Sequence, residues 1–167
     1  LQGGKNSIRG EKATYLVNEG RFIATPKSGS QVVSTYVVNN TNARNQASTG
    51  SGPLTIRANL QEYNSNTRIA TGRGNVKLSY PARQIKATAA QAQFFEREQR
   101  IILSGGVYIL QDGKNSIRGE TVTYLIDEQR FVAAPKSGGR VQSTYIIDDV
   151  PAQSNQAPST PNLRRNN

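Results

Sequence analysis

The chain has 167 residues, and its formal net charge of +10 comes from 21 Lys and Arg against 11 Asp and Glu. This length suits one domain with flanking segments, and the charge favours an anionic partner such as a nucleic acid, a membrane surface, an acidic lipid or a glycan. Cys, His, Met and Trp are absent, which excludes disulfides, thiol chemistry, structural zinc sites and His-dependent nucleophilic catalysis. The frequent Val, Ile, Thr, Tyr, Gly and Asn are typical of strands and turns.

The first predicted elements return near the end of the chain, because the sequence GKNSIRGE occurs at Gly4–Glu11 and again at Gly113–Glu120. The match runs on to Val38 in the first copy and Ile147 in the second, and most aligned pairs are identical. Such a duplication indicates stacked supersecondary units. A shorter pattern (an Ile, a base, a small residue and a closing aromatic) begins at Ile8, Ile56, Ile85 and Ile117. Each occurrence precedes a polar turn and a β-rich run, which predicts an all-β meander.

The spacing within these units is odd. Ile56 and Tyr63 are seven positions apart, as are Ile117 and Tyr124, so on an unbroken strand they would face opposite sides of the sheet. Either each strand kinks and shifts phase, so that the sheet folds over lengthwise, or the residues face different sides of a two-layer sandwich. Small residues just after the lead Ile suit a kink or bulge, namely Gly10, Ala58, Ala87 and Gly119.

Composition divides the chain into four segments. Residues 1–38 are predicted to form a partial repeat copy, and residues 54–147 the fuller β-domain. The Asn-, Ser- and Gly-rich stretch at 39–53 predicts a flexible linker. Residues 148–167 carry too little apolar content to bury, which predicts a disordered tail.

Catalytic and metal-binding patterns are weak throughout. Glu96 and Glu98 lie two apart beside Arg97, which fits either a catalytic pair or, far more simply, a solvated hairpin turn. Asp148 and Asp149 have no third ligand nearby, and Gly72–Gly74 is a lone G-x-G that a bulge or hairpin explains. We therefore expect a protein that is not an enzyme and has no metal site and no cofactor.

The order of the motifs resembles a known family. The runs LTIRANLQEY, TGRGNVKL and IKATAAQAQFFEREQRIILSGGVYILQDGKNSIRGETVTYLIDEQRFVA are similar to the LptA/OstA family of lipopolysaccharide transport proteins. The resemblance covers residues 53–147, with residues 1–38 as an extra partial copy. It implies an all-β, folded-over antiparallel sheet, described as a β-taco or β-jelly roll. It also implies an apolar inner face that holds the acyl chains of lipopolysaccharide.

The resemblance further implies a periplasmic protein that stacks end to end with copies of itself. Such a stack bridges the inner- and outer-membrane components of the transport machinery, with lipopolysaccharide rather than nucleic acid as the ligand. The positions that match the inward-facing, lipid-binding family sites are Leu54, Ile56, Tyr63, Val76, Leu78, Phe94, Leu103, Val107, Ile109, Ile117, Val122 and Tyr124. Arg57, Lys86 and Arg118 are candidate contacts to anionic headgroups, or else solvated residues of the outer face.

Two other functions fit parts of the sequence. The positive charge suits a β-sheet protein that binds nucleic acid, in which Tyr15, Tyr63 and Tyr124 would stack on bases instead of filling a core. A structural β-repeat protein that polymerises without cargo would also use the repeated units. Neither alternative needs an apolar interior that is able to admit a hydrocarbon chain.

Overall fold

The computed structural model describes residues 6–38 and 51–146, and these form one antiparallel sheet of twelve strands without an α-helix. Short 3-10 turns lie at Val17–Glu19 and Pro81–Arg83. The strands are β1 (Ser7–Arg9), β2 (Lys12–Leu16), β3 (Arg21–Thr25), β4 (Val32–Val38), β5 (Gly52–Ala58), β6 (Leu60–Asn64), β7 (Ile69–Tyr80), β8 (Ile85–Phe95), β9 (Arg100–Gln111), β10 (Asn115–Leu125), β11 (Arg130–Ala134) and β12 (Gln142–Thr144).

The strands follow one another as rungs of a ladder. Four rungs are continuous strands, β7 to β10, and four are broken into the pairs β1–β2, β3–β4, β5–β6 and β11–β12. Each rung hydrogen-bonds to the next rung along the chain, as β4 does to β5 and β3 to β6. The first repeat copy therefore lies in the same sheet as the rest, and the two copies supply the first two and the last two rungs. Within the described residues, the first and last rungs do not pair with each other.

Every rung has two halves, and the like halves form two arms of the sheet. Arm 1 consists of β1, β4, β5, β12 and residues 76–80, 85–89, 107–111 and 115–119. Arm 2 consists of β2, β3, β6, β11 and residues 69–73, 91–95, 100–104 and 121–125. The arms face each other: the Tyr36 ring on arm 1 lies 5.5 Å from the Phe94 ring on arm 2.

The sheet folds where the register shifts. The β7–β8 pairing slips between Arg73 and Val76, where Gly74 has φ +78°. The β9 pairings slip at Gly105, whose φ is +82° and where a Cβ would lie only 2.5 Å from the Cβ of Ala90. Because glycine alone adopts this conformation without strain and leaves room for the neighbouring strand, these positions can turn the sheet back on itself.

The folded sheet confirms the predicted fold class and the kinked interpretation. Both members of the Ile56–Tyr63 and Ile117–Tyr124 pairs face the interior, because each rung changes phase between them. The kink falls beside Ala58 and Gly119 as expected, but β8 folds near Ala90 and not at Ala87, which is an inward-facing core residue. The β8 arm extends further before the fold because its bulged partner, β9, turns opposite Ala90.

The predicted boundaries meet the described residues only in part. Residues 39–50 of the linker and the whole segment 148–167, including Asp148 and Asp149, lie outside them. The last linker residues, Gly52 and Pro53, belong to β5 and pair with β4.

Candidate functional site

The interior between the arms is one continuous apolar cluster. All twelve predicted inward positions lie in it: ten are buried core residues, and Tyr63 and Ile117 are partly buried against them. Alternation along each strand causes this arrangement, since β5 shows every second residue buried from Leu54 to Ala58. The structure thus brings the predicted set together, while the binding of lipid to it stays a prediction.

Five further interior residues are not among the predicted lipid-binding positions, although alternation along their strands places Tyr80, Ile101 and Ile126 on the same face as those positions. Tyr36, Tyr80, Ile85, Ile101 and Ile126 are all nearly inaccessible and contribute to the same cluster. The strict alternation of VVSTYVV at Val32–Val38 is the signal that identifies the inward face of the first repeat copy.

A polar bridge crosses the interior near the fold. Gln61 is buried, and its Nε2 donates hydrogen bonds to the carbonyl oxygens of Val32 (2.7 Å) and Ile56 (2.8 Å). The hydroxyl of the buried Ser34 donates to Gln61 Oε1. These bonds satisfy buried backbone groups beside the break between β5 and β6, and they tie the first repeat copy to the next rung. Sequence alternation alone did not identify Gln61 as an interior residue.

The side opposite the fold is the seam, where the strand-end turns of the two arms meet. A cavity of about 260 Å³ opens there between β1 of arm 1 and the turns of arm 2. We call it the mouth; its lining residues are Asn6, Ser7, Ile8, Phe22, Tyr36, Tyr63, Ser65, Arg68 and Glu96. Its aromatic and aliphatic walls lead into the interior, whereas its rim carries the polar groups.

Glu96 holds the rim of the mouth together. Its carboxylate accepts a hydrogen bond from Asn6 Nδ2 across the seam (2.8 Å) and another from the hydroxyl of Tyr63 (3.4 Å), and Arg68 Nε lies 3.9 Å away. Burial raises the pKa of the Glu96 carboxyl and also that of the Tyr63 hydroxyl. The prediction of a solvated turn is therefore wrong for Glu96, since the side chain is only 15% exposed; Glu98 is exposed, and the two do not form a pair.

Further along the seam, buried polar atoms lack partners. Among the described residues, Arg83 Nε, Gln99 Oε1 and Asp127 Oδ1 are inaccessible and make no hydrogen bond. An unsatisfied buried polar group costs about 1–3 kcal/mol. The arms meet at the seam through turns and side chains, whereas β7 to β10 run continuously from one arm to the other across the fold line.

The predicted headgroup contacts lie elsewhere. Arg57, Lys86 and Arg118 are exposed on the outer face of arm 1, on strand positions that alternate with the buried ones. They do not line the mouth. These bases were expected to be either headgroup contacts or solvated outer-face residues, and their positions are those of outer-face residues.

A single sheet folded over an apolar interior, open at one seam and at both end rungs, defines a class of β-domain suited to enclosing apolar groups. Residues 77–130 match the family model described as the LptA/(LptD N-terminal domain) LPS transport protein. The resemblance predicted from the motifs is thus confirmed for this segment, which is similar to the LptA and LptD N-terminal family.

Among solved structures, the chain is similar to LptH, the LptA-homologous periplasmic component of the lipopolysaccharide transport device from Pseudomonas aeruginosa. The TM-score is 0.64 at 15% sequence identity, over 85% of this chain and 95% of the other. This likeness shows the fold. A comparison with curated protein sequences gave no match.

Proposed function

We propose that this protein is a periplasmic lipopolysaccharide-binding transport protein rather than an enzyme. It shields the acyl chains of lipid A between its two arms and forms part of a bridge between inner- and outer-membrane components. The family match and the periplasmic LptH likeness support this assignment. Among the described residues, no helix is long and apolar enough to cross a membrane.

One observation carries the proposal: the apolar interior runs unbroken through successive rungs and meets the surface at the mouth. A lipid with several acyl chains cannot cross water unaided, because each exposed methylene costs about 0.8 kcal/mol. Side chains that alternate inward along every rung cover such chains without specific polar contacts, so the cargo can slide from rung to rung.

The interior side chains pack against one another, with Phe94 only 1% and Val107 only 2% exposed. Cargo must therefore part the arms. We infer that parting occurs at the seam, where polar atoms of Arg83 and Asp127 are unsatisfied, and hinges on the glycine-containing bulges of the fold line. Acyl chains then replace the contacts that the two arms lose with each other.

Photo-crosslinking tests the location of the cargo. A photoreactive residue at Tyr63 or Phe94 should label bound lipopolysaccharide, whereas one at the outward position Gln93 should not. Gln93 is the matched control because it adjoins Phe94 on the same strand and faces the other side. Equal labelling at inward and outward positions would contradict binding between the arms.

End-to-end assembly is the second part of the proposal, and the exposed apolar residues support it. The described residues include six exposed large hydrophobic side chains, and all six lie on the first or last rung or beside it. They are Tyr15 and Val17 at one end and Val132, Val141, Tyr145 and Ile146 at the other. Unpaired edges that carry such residues invite pairing with another chain.

The repeat supplies a template for the joint. The rung β3–β4 pairs with β5–β6 inside the molecule, and the last rung, β11–β12, is its sequence copy, with an edge that no other described strand pairs with. The first rung runs from arm 1 to arm 2, as β5–β6 does. The first rung of a neighbouring molecule can therefore pair with the last rung of this one in the way that β5–β6 pairs with β3–β4. By analogy with Phe22 opposite Tyr63, we expect Phe131 of one molecule to lie opposite Tyr15 of the next.

Two blocked variants test this polarity. Tyr145→Glu places a charge on the last rung and Tyr15→Glu places one on the first, so that each variant alone should remain monomeric. Their equimolar mixture should form a heterodimer through the two unblocked rungs, measured by light scattering after size-exclusion chromatography. Thr88→Glu, on an exposed middle position, is the control and should assemble like the parent chain. A mixture that stays monomeric while the parent assembles would rule out the head-to-tail joint.

A further inference from the structure

The outer face of arm 1 carries charge of one sign only. Its strand residues include five bases and no Asp or Glu. The bases are Arg9, Arg57, Lys77, Lys86 and Arg118. Arg57 and Lys77 lie directly opposite each other on β5 and β7, an arrangement that costs stability because like charges face across neighbouring strands.

The bases of arm 2 are arranged differently. Arg21 is bonded to Glu19 and Glu62, and Arg130 to Glu128. Arg100 lies over the ring of Phe95 at 4.4 Å. Among the described residues, Arg57, Lys77 and Lys86 make no comparable ion pair. Among the described residues, the strand bases of arm 1 thus have no acidic partner, whereas Arg21 and Arg130 of arm 2 do.

The shape of this face also points to its ligand. A shallow depression of about 490 Å³ crosses it, lined among others by Thr55, Arg57, Lys77, Ser79 and Lys86. From Arg9 to Arg118 the bases span about 30 Å of sheet at the ordinary strand spacing. Hydroxyl groups lie between ammonium and guanidinium groups on this face. Phosphate oxygens accept hydrogen bonds from all three kinds of group. Bases spread over a broad open face suit phosphates that are spread over a plane.

We propose that the outer face of arm 1 docks on an anionic phospholipid bilayer surface. Charge complementarity selects this occupant, because the strand residues of this face carry bases and no Asp or Glu. Nucleic acid fits less well because the aromatic ring on the face, Tyr108, is covered by Arg118 at 4.8 Å and does not offer a stacking surface. The proposal goes beyond the carrier function and does not require cargo between the arms.

Vesicle co-sedimentation tests the proposal with phosphatidylcholine vesicles, with and without phosphatidylglycerol. We expect binding only to the anionic vesicles, weakened by salt. Each base near such a surface contributes about fivefold in affinity, so Arg57→Gln/Lys77→Gln should reduce binding about 30-fold. Arg73→Gln/Arg97→Gln removes the same charge away from this face and should retain most of the binding.

Circular dichroism establishes that both double variants are folded. Equal loss of binding in the two would overturn the proposal, because it would show a general charge effect. Tighter binding to duplex DNA than to anionic vesicles at the same salt concentration would overturn it as well. Since these residues do not line the interior, photo-crosslinking of lipopolysaccharide at Phe94 should be unchanged in both variants, which separates this proposal from the carrier function.

Discussion

The duplication places two equivalent tyrosines in different environments, which allows a direct test of the fold. Tyr36 and Tyr145 are equivalent in the two repeat copies and follow the same Ser-Thr pair. Tyr36 is 1% exposed and packs on Phe94, whereas Tyr145 is 65% exposed. We expect Tyr36→Ala to destabilise the protein strongly and Tyr145→Ala to leave the free energy of unfolding almost unchanged.

The magnitude follows from burial. A buried tyrosine removes roughly 150–250 Å² from water, worth about 4–6 kcal/mol at 25 cal/mol per Å². Truncation of a large core aromatic typically costs about 3–5 kcal/mol, and for a chain of this size that lowers Tm by roughly 6–20 °C. An exposed site changes stability by about 0.5 kcal/mol or less.

Thermal and urea unfolding, followed by circular dichroism at low protein concentration, measure both variants. Low concentration matters because the proposed end-to-end joint would cover Tyr145 and make its truncation costly in the assembly. Equal losses of unfolding free energy in dilute solution would refute the placement of rung β3–β4 within the sheet and of the last rung at its edge. A loss for Tyr145→Ala that grows with protein concentration would support the joint.

Three further outcomes follow from the structure. Because burial raises the pKa of Glu96, ionisation of this carboxyl destabilises the folded state at pH values above the pKa of an unfolded glutamate, about 4.3. Glu96→Gln should therefore become more stable than the parent as pH rises through the folded pKa, with no gain below pH ~4. Urea unfolding across pH measures the difference. Gly105→Ala should destabilise more than Gly106→Ala, since both have positive φ but only Gly105 has a neighbour within 4 Å; similar Tm values would contradict the close approach. Gln61→Leu should cost about 1–3 kcal/mol for the Val32 carbonyl oxygen that it leaves unsatisfied, because the Ser34 hydroxyl lies 3.5 Å from the other acceptor, the carbonyl oxygen of Ile56; urea unfolding measures this loss, and a double-mutant cycle with Ser34→Ala measures the coupling.

Sequence reasoning reached the interior because inward residues obey a simple alternation. Leu54 and Ile56, or Val107 and Ile109, are two apart on strands whose outward neighbours are polar or less apolar. The fold was one of two interpretations of the sequence, since the odd spacing of Ile56 and Tyr63 lets both face inward only if the strand changes phase between them. The position of the phase change on β8 was not readable from the sequence, because that position depends on the glycines of the partner strand β9 and not on β8 alone.

The seam was beyond sequence reasoning for a similar reason. Glu96 follows a strand in a run of charged residues that is typical of an exposed turn. Its burial depends on Asn6, which lies at the other end of the sequence and meets it only because the arms fold together. Gln61 likewise gains its role from the carbonyl oxygens of two other strand segments. Contacts between the two arms leave no periodic trace in the chain.

The two repeat copies finally connect stability with assembly. A monomer that needed only a stable fold would not keep Val132, Val141, Tyr145 and Ile146 exposed on its last rung while their counterparts in the first copy are wholly or largely buried. Exposed edges of this kind raise the risk of aggregation, and the bases of arm 1 limit that risk by keeping neighbouring molecules apart face to face through charge repulsion. In the proposed assembly, contact through the edges is the favoured mode, because stacking brings like arms side by side, in the same relation as rungs within one molecule. Edge pairing and the basic face would then act together: the charge disfavours lateral association, and the apolar rungs direct the proposed association along the axis on which a continuous interior would extend.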